Sequence, residues 1–316
     1  MTVAEPAPFT SVRTAPNEGR PLRERLTAIL PQLVLAPSLL ATFVYVFLFC
    51  GWTIWISLSN STLMPDYSIS GLHHYAELWS NRRWSIAYTN LFLFSSLYVV
   101  GAMAIGLLLA ILIDQRVRAE ALWRTIYLYP LAVSFVVTGT VWRWLLSPST
   151  GIESVVRALG WASFKFDWIV QREMAIYTVV ITGIWQASGF VMALFLAGLR
   201  SVDPDLVKAA QIDGASMARI YRRIILPAIG PIFVSVMVVL LQFAIKTFDL
   251  VIAMTGGGPG ISTTVPAIYV YDLMFQRGQM AEGAAAAIMI LLALSLVLVP
   301  YTIWTNWRQR QEAGRA

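Results

Sequence analysis

Three polar side chains, Gln242, Lys246 and Asp249, recur at spacings of four and three inside an otherwise apolar stretch, so on a helix they share one face. In hydrocarbon such groups are tolerated only where they meet each other or a cavity. Two readings stay open: Lys246 and Asp249 form an ion pair that holds helices together, or the stripe contacts a polar solute. A second apolar stretch carries Trp185, Gln186, Ser188 and Phe190 near its middle, hydrogen-bonding groups and aromatic faces of the kind a solute path needs. Nothing in the chain suggests covalent chemistry. The one cysteine, Cys50, lies in an apolar run and reads as a packing residue. His73 and His74 are adjacent, the wrong spacing for two ligands on one helical face, so no metal site is expected. Asp66, Glu77, Asp114, Asp167 and Asp272 are scattered singly among different loops rather than clustered as in an enzyme.

The elements that must position these residues are long apolar helices. Hydrophobic residues make up 58% of the 316 and charged ones 13%, and apolar runs longer than about 18 residues repeat along the chain. This predicts an all-α polytopic membrane protein with six transmembrane helices, at about 30–58, 86–113, 125–146, 174–199, 228–254 and 283–304. Residues 1–28, rich in Pro, Ala, Thr and Arg, read as a mobile cytosolic tail, and 307–316 as a C-terminal cytosolic tail. The first apolar run is far longer than a signal-peptide core and stays in the membrane. Lys and Arg number four in the first tail, three at 116–124, five at 200–223 and three in the last tail, against two, three and one in the alternate loops. That asymmetry places both termini in the cytosol. The +6 net charge thus reflects orientation in a bilayer rather than nucleic-acid binding. Pro130 and Pro231 interrupt or begin spans, and Gly183 and Gly189 allow close helix approach, as in a packed bundle.

Between the fourth and fifth spans, residues 200–227 form a polar island on the cytosolic side. Asp203 and Pro204 start a helix: the carboxylate caps free N–H groups, and proline at the first helical position loses no needed donor. That helix is expected over Pro204 to Ile212, broken by Asp213 and Gly214. A second helical stretch from Ser216 carries Arg219, Arg222 and Arg223 until Leu226 and Pro227 turn the chain back. Small residues Ala209, Ala210, Gly214 and Ala215 at the elbow would make a knob without bulky side chains, suited to a partner's groove.

The order KAAQIDGASMARIYRRIILP, Lys208 to Pro227, resembles the cytoplasmic signature loop of binding-protein-dependent ABC importer permeases. The family usually opens that motif with glutamate, where this chain has Lys208. After the fifth span, MTGGGPGISTT (Met254 to Thr264) resembles the outer loop of carbohydrate permeases of the maltose and glycerol-phosphate type. Arg124 to Trp144, Asp167 to Leu199 and Lys246 to Val251 look like the glucose/mannose-type branch. The resemblance implies that Lys208, Ala209, Ala210, Asp213, Gly214 and Ala215 dock on an ATPase. It further implies a second homologous permease, two ATPase subunits that bind the ATP and Mg, and a periplasmic or lipid-anchored sugar-binding protein, in a bacterial inner membrane. No cofactor is expected in this chain. The sugar-contacting positions of the maltose-type subunit match Ala187, Phe190, Ala244 and Thr247, of which only Phe190 and Thr247 keep useful chemistry. An ATP-independent secondary transporter is the alternative, although no acidic relay along the spans or internal repeat supports it.

Overall fold

A computed structural model describes residues 35–115 and 117–313 of the chain. The tail expected over 1–28 and the first residues of span one lie outside the described residues. Among the described residues there is no β-strand, only an isolated bridge between Ser59 and Ile69. The helices, in order, are α1 (Leu35–Ser57), α2 (His73–Ser80), α3 (Arg82–Asp114), α4 (Glu120–Ala132), α5 (Phe135–Leu145), α6 (Ile152–Ala158) and α7 (Ala175–Ser201). They continue with α8 (Pro204–Ile212), α9 (Met217–Ala228), α10 (Gly230–Ile245), α11 (Phe248–Met254), α12 (Pro266–Tyr271) and α13 (Met280–Ala313). Four of these, α1, α3, α7 and α13, are long and apolar enough to cross a membrane, or up to six spans if each of two bent pairs counts as one.

The bends fall where Pro130 and Pro231 are expected to interrupt or begin the third and fifth spans. In the third, α4 and α5 meet at 98°. Pro130 lacks a backbone N–H, α4 ends two residues beyond it, and the Ser134 hydroxyl starts α5 afresh by accepting from the Val136 N–H. In the fifth, α9 and α10 meet at 65° where Gly230 and Pro231 follow Ile229. A further break falls at Lys246 and Thr247, where the Thr247 hydroxyl bonds back to the carbonyls of Ala244 (2.6 Å) and Phe243 (3.2 Å) and competes with the helix ladder. At about 1.5 Å per residue α10 reaches about 24 Å, short of a hydrocarbon core of about 30 Å, and α11 supplies the rest.

The core is built on α3 against α7. Phe94, Tyr98, Ala102 and Ala110 of α3 pack with Val180, Ala187, Val191 and Phe195 of α7, and Leu240 and Ala244 of α10 close the cluster. At Gly189 a side chain is impossible: a Cβ there would lie 1.7 Å from the Tyr127 carbonyl oxygen, so glycine lets α4 lie directly on α7. The glycine-rich loop after α11 is stapled from within. Asn90 of α3, nearly buried, donates from Nδ2 to the carbonyls of Ser262 (2.8 Å) and Thr264 (2.9 Å). Nearby, Arg83 pairs with Asp272, and the Tyr269 hydroxyl donates to Glu282 at 3.0 Å, tying α12 and α13 to the start of α3.

Candidate functional site

Two regions hold the residues singled out by type and spacing. The first is the elbow of α8 and α9. Asp203 caps α8, its carboxylate accepting from the Asp205 N–H at 2.9 Å, and Pro204 opens the helix. Gly214 breaks it with φ of +73°, a left-handed conformation that a side chain disfavours, while the Ala215 N–H returns to the Ala210 carbonyl. Lys208 finds its acid within its own helix: Nζ lies 2.9 Å from Asp205 Oδ1, with both side chains largely exposed. Where the family has glutamate, the cation is thus already met, by a solvent-screened pair of little energy.

The knob differs from the expected smooth one. Ala210 and Ala215 are half-buried and pack toward the core, so Lys208, Ala209, Asp213 and Gly214 form the outer face. The tip carries a bulky apolar side chain, Ile212, 86% exposed, flanked by exposed Leu206 and Met217. The sequence reading passed over these three because it looked for small residues; the helical register of α8 with no buried partner was the signal. Below the tip, Ile220 and Ile225 are buried in the same core cluster as Ile113 and Leu199.

A polar junction surrounds this root. The Tyr221 hydroxyl donates to Asp114 Oδ2 (3.1 Å) and accepts from Gln115 Nε2 (3.0 Å). Arg200 at the end of α7 reaches Asp114 (3.6 Å) and Glu120 (3.0 Å), and Arg124 meets Glu120 at 2.5 Å.

The second region is a cavity of about 20 Å³ at the meeting of α3, α4, α5, α7, α10 and α11. Gln186, Ala187 and Thr247 line it together with Phe94, Tyr98 and Phe243. Gln186 is 2% exposed; its Nε2 donates to the Val133 carbonyl (2.9 Å) freed at the bend of span three, and its Oε1 has no protein partner. Such a space fits one water and no sugar. Phe190 touches the edge through Phe243, ring centroids 6.0 Å apart. The other candidates lie elsewhere. Trp185 stacks edge-on with Trp142 at the surface, and the Ser188 hydroxyl bonds to the Trp185 carbonyl. Phe94 and Tyr98 of α3 were missed, because only the fourth and fifth spans were searched; a tyrosine in mid-span was the available signal.

Lys246 and Asp249 do not pair. Among the described residues each is exposed and without a charged partner, because the break at Lys246 and Thr247 abolishes the common helical face that their spacing assumed. Gln242, still on α10, is half-buried.

Among the described residues, an all-helical fold with four to six candidate spans, a small and mostly apolar cavity in the core and an exposed elbow fits a multi-pass membrane permease. Residues 102–311 match the model of the binding-protein-dependent transport system inner membrane component, and the chain belongs to that family. It is similar to a probable ABC transporter permease protein of Pyrococcus horikoshii, 39% identical over 86% of this chain and 94% of that one. It also resembles the xylose/arabinose import permease protein XacH of Haloferax volcanii, 37% identical over 75% of each chain. In fold it matches a bacterial ABC transporter involved in the import of the acidic polysaccharide alginate, with a TM-score of 0.74 and 24% identity, covering 90% of this chain and 98% of that one. The motif resemblance to importer permeases is borne out, and the chain is an inner-membrane transport component rather than an enzyme.

Proposed function

We propose that this chain is one of two homologous permease subunits of an ATP-driven sugar importer that works by alternating access, with both termini in the cytosol. The cargo is a glucose- or mannose-type sugar or a related glycoside or acidic sugar, presented by a periplasmic or lipid-anchored binding protein. Two ATPase subunits bind ATP and Mg and receive the elbow of α8 and α9. The carbohydrate cargo named for the Haloferax volcanii relative supports the substrate class.

One observation carries the docking: an apolar side chain, Ile212, stands almost fully exposed at the tip of an elbow whose root is buried in the core. Burying such a side chain is worth about 1.5–3 kcal/mol, a strong reason for a partner's cleft. Lys246 and Asp249 are compatible with a second permease. Charged groups exposed within a span cannot face lipid, so that surface is either covered by a subunit or lines a water-filled path. Purifying the complex with Ile212→Asp tests the docking: the ATPase should be lost from the permease by at least about tenfold, and undiminished co-purification sinks the claim. Titrating the partner binding protein with glucose, mannose, xylose, arabinose and a uronic acid identifies the cargo. Uptake by the permease alone, without ATPase, would instead establish the ATP-independent reading.

A further inference from the structure

The backbone route from the elbow into span five is bent: α9 and α10 meet at 65°, and a Cβ on the intervening Gly230 would meet nothing within 4 Å. Ile229 at this corner is buried in the core cluster and packs against Gly198 of α7. A second, non-covalent route runs through the root of the elbow. Ile220 and Ile225 are buried in one cluster with Ile113 of α3 and Leu199 of α7. Beside them the Tyr221 hydroxyl holds Asp114 at the end of α3, Arg200 at the end of α7 reaches Asp114 and Glu120, and Glu120 at the start of α4 holds Arg124. Tyr221 itself begins a π-helical turn, Tyr221–Ile225, in which the Leu226 N–H returns to the Tyr221 carbonyl. Such a turn inserts one residue and rotates the side chains before it relative to those after it, the kind of local device found at functional positions.

We infer that Tyr221 and Asp114 are the positioning pair that passes the elbow's movement to spans two, three and four as one block. The hydroxyl-to-carboxylate bond, beside the bond that the same hydroxyl accepts from Gln115, is a polar tie between the elbow and the span ends, and the Arg200, Glu120 and Arg124 pairs spread its load over α7 and α4. This rests on the proposed docking of the elbow to an ATPase.

The test uses the assembled importer in proteoliposomes, with Cys50→Ser and a reporter Thr247→Cys lining the closed cavity. An impermeant maleimide reads reactivity of the reporter with and without Mg-ATP plus vanadate. In the parent protein, nucleotide should change the labelling rate severalfold. Tyr221→Phe should keep assembly and ATP hydrolysis yet abolish that change. Asp114→Asn, whose amide oxygen still accepts from Tyr221, should respond within about twofold of the parent, a rescue that a merely space-filling role would not produce. A full response in Tyr221→Phe overturns the inference, and so does loss of assembly in both variants, which would make the pair a fold contact only. Absence of any nucleotide response in the parent, or of ATPase from its complex, strikes the docking reading itself.

Discussion

At the residue scale, the elbow depends on one backbone conformation. Gly214 sits at φ +73° with open space where a Cβ would go, so substitution there costs strain and no clash. Gly214→Ala is expected to cost about 1–2 kcal/mol locally, seen as roughly tenfold weaker ATPase association by titration of the purified subunits. An unchanged affinity would mean that the elbow reshapes on docking. Lys246 stands in a different position. With its pairing to Asp249 absent, neutralising it removes no internal ion pair. Lys246→Ala should therefore leave the melting temperature of the complex within about 2 °C while abolishing uptake of the cargo, as for a surface change away from packed features. Loss of assembly instead would place Lys246 in the subunit contact.

At the element scale, the close pairing of helices is set by a few positions whose neighbours are backbone. A Cβ at Gly189 would fall 1.7 Å from the Tyr127 carbonyl oxygen, so α4 and α7 must separate in Gly189→Ala. The expected loss is about 1–3 kcal/mol or more, measurable as earlier thermal unfolding in detergent. The outer loop depends on Asn90 in the same manner. Asn90→Leu strips the carbonyls of Ser262 and Thr264 of their shared donor, at about 1–3 kcal/mol, and should expose the Met254 to Thr264 loop to limited proteolysis. An equally resistant loop would show that its own threonine bonds suffice, such as that of the Thr263 hydroxyl to the Gly258 carbonyl.

At the scale of the whole molecule, orientation and closure decide function. On the proposed topology, which the distribution of Lys and Arg favours, the elbow lies in the cytosol and the glycine-rich loop outside. In a Cys50→Ser background, Gln211→Cys should react with an impermeant thiol reagent only in inside-out vesicles, and Ser149→Cys only in right-side-out ones. Labelling of both from one side would overturn that topology.

Much of this was legible in the sequence. Apolar runs longer than about 18 residues have no soluble use, so length and composition alone determined a polytopic helical protein. Asp203, Pro204 and Gly214 placed α8 over Pro204–Ile212 because caps and breakers act through neighbouring backbone groups. The motif order of the elbow likewise pointed to the permease family to which residues 102–311 belong. What only the tertiary structure decided involves groups remote in sequence. Spacing made Gln242, Lys246 and Asp249 one stripe, but the helix ends at Ile245 and restarts at Phe248, which leaves both charges unpaired. Nothing local showed that Gln186 would meet the Val133 carbonyl at a bend in another span, or that Tyr221 would hold Asp114. Local rules fix where a helix starts and stops, whereas the partners of a side chain depend on how separate helices pack, and that is settled only when the chain is folded.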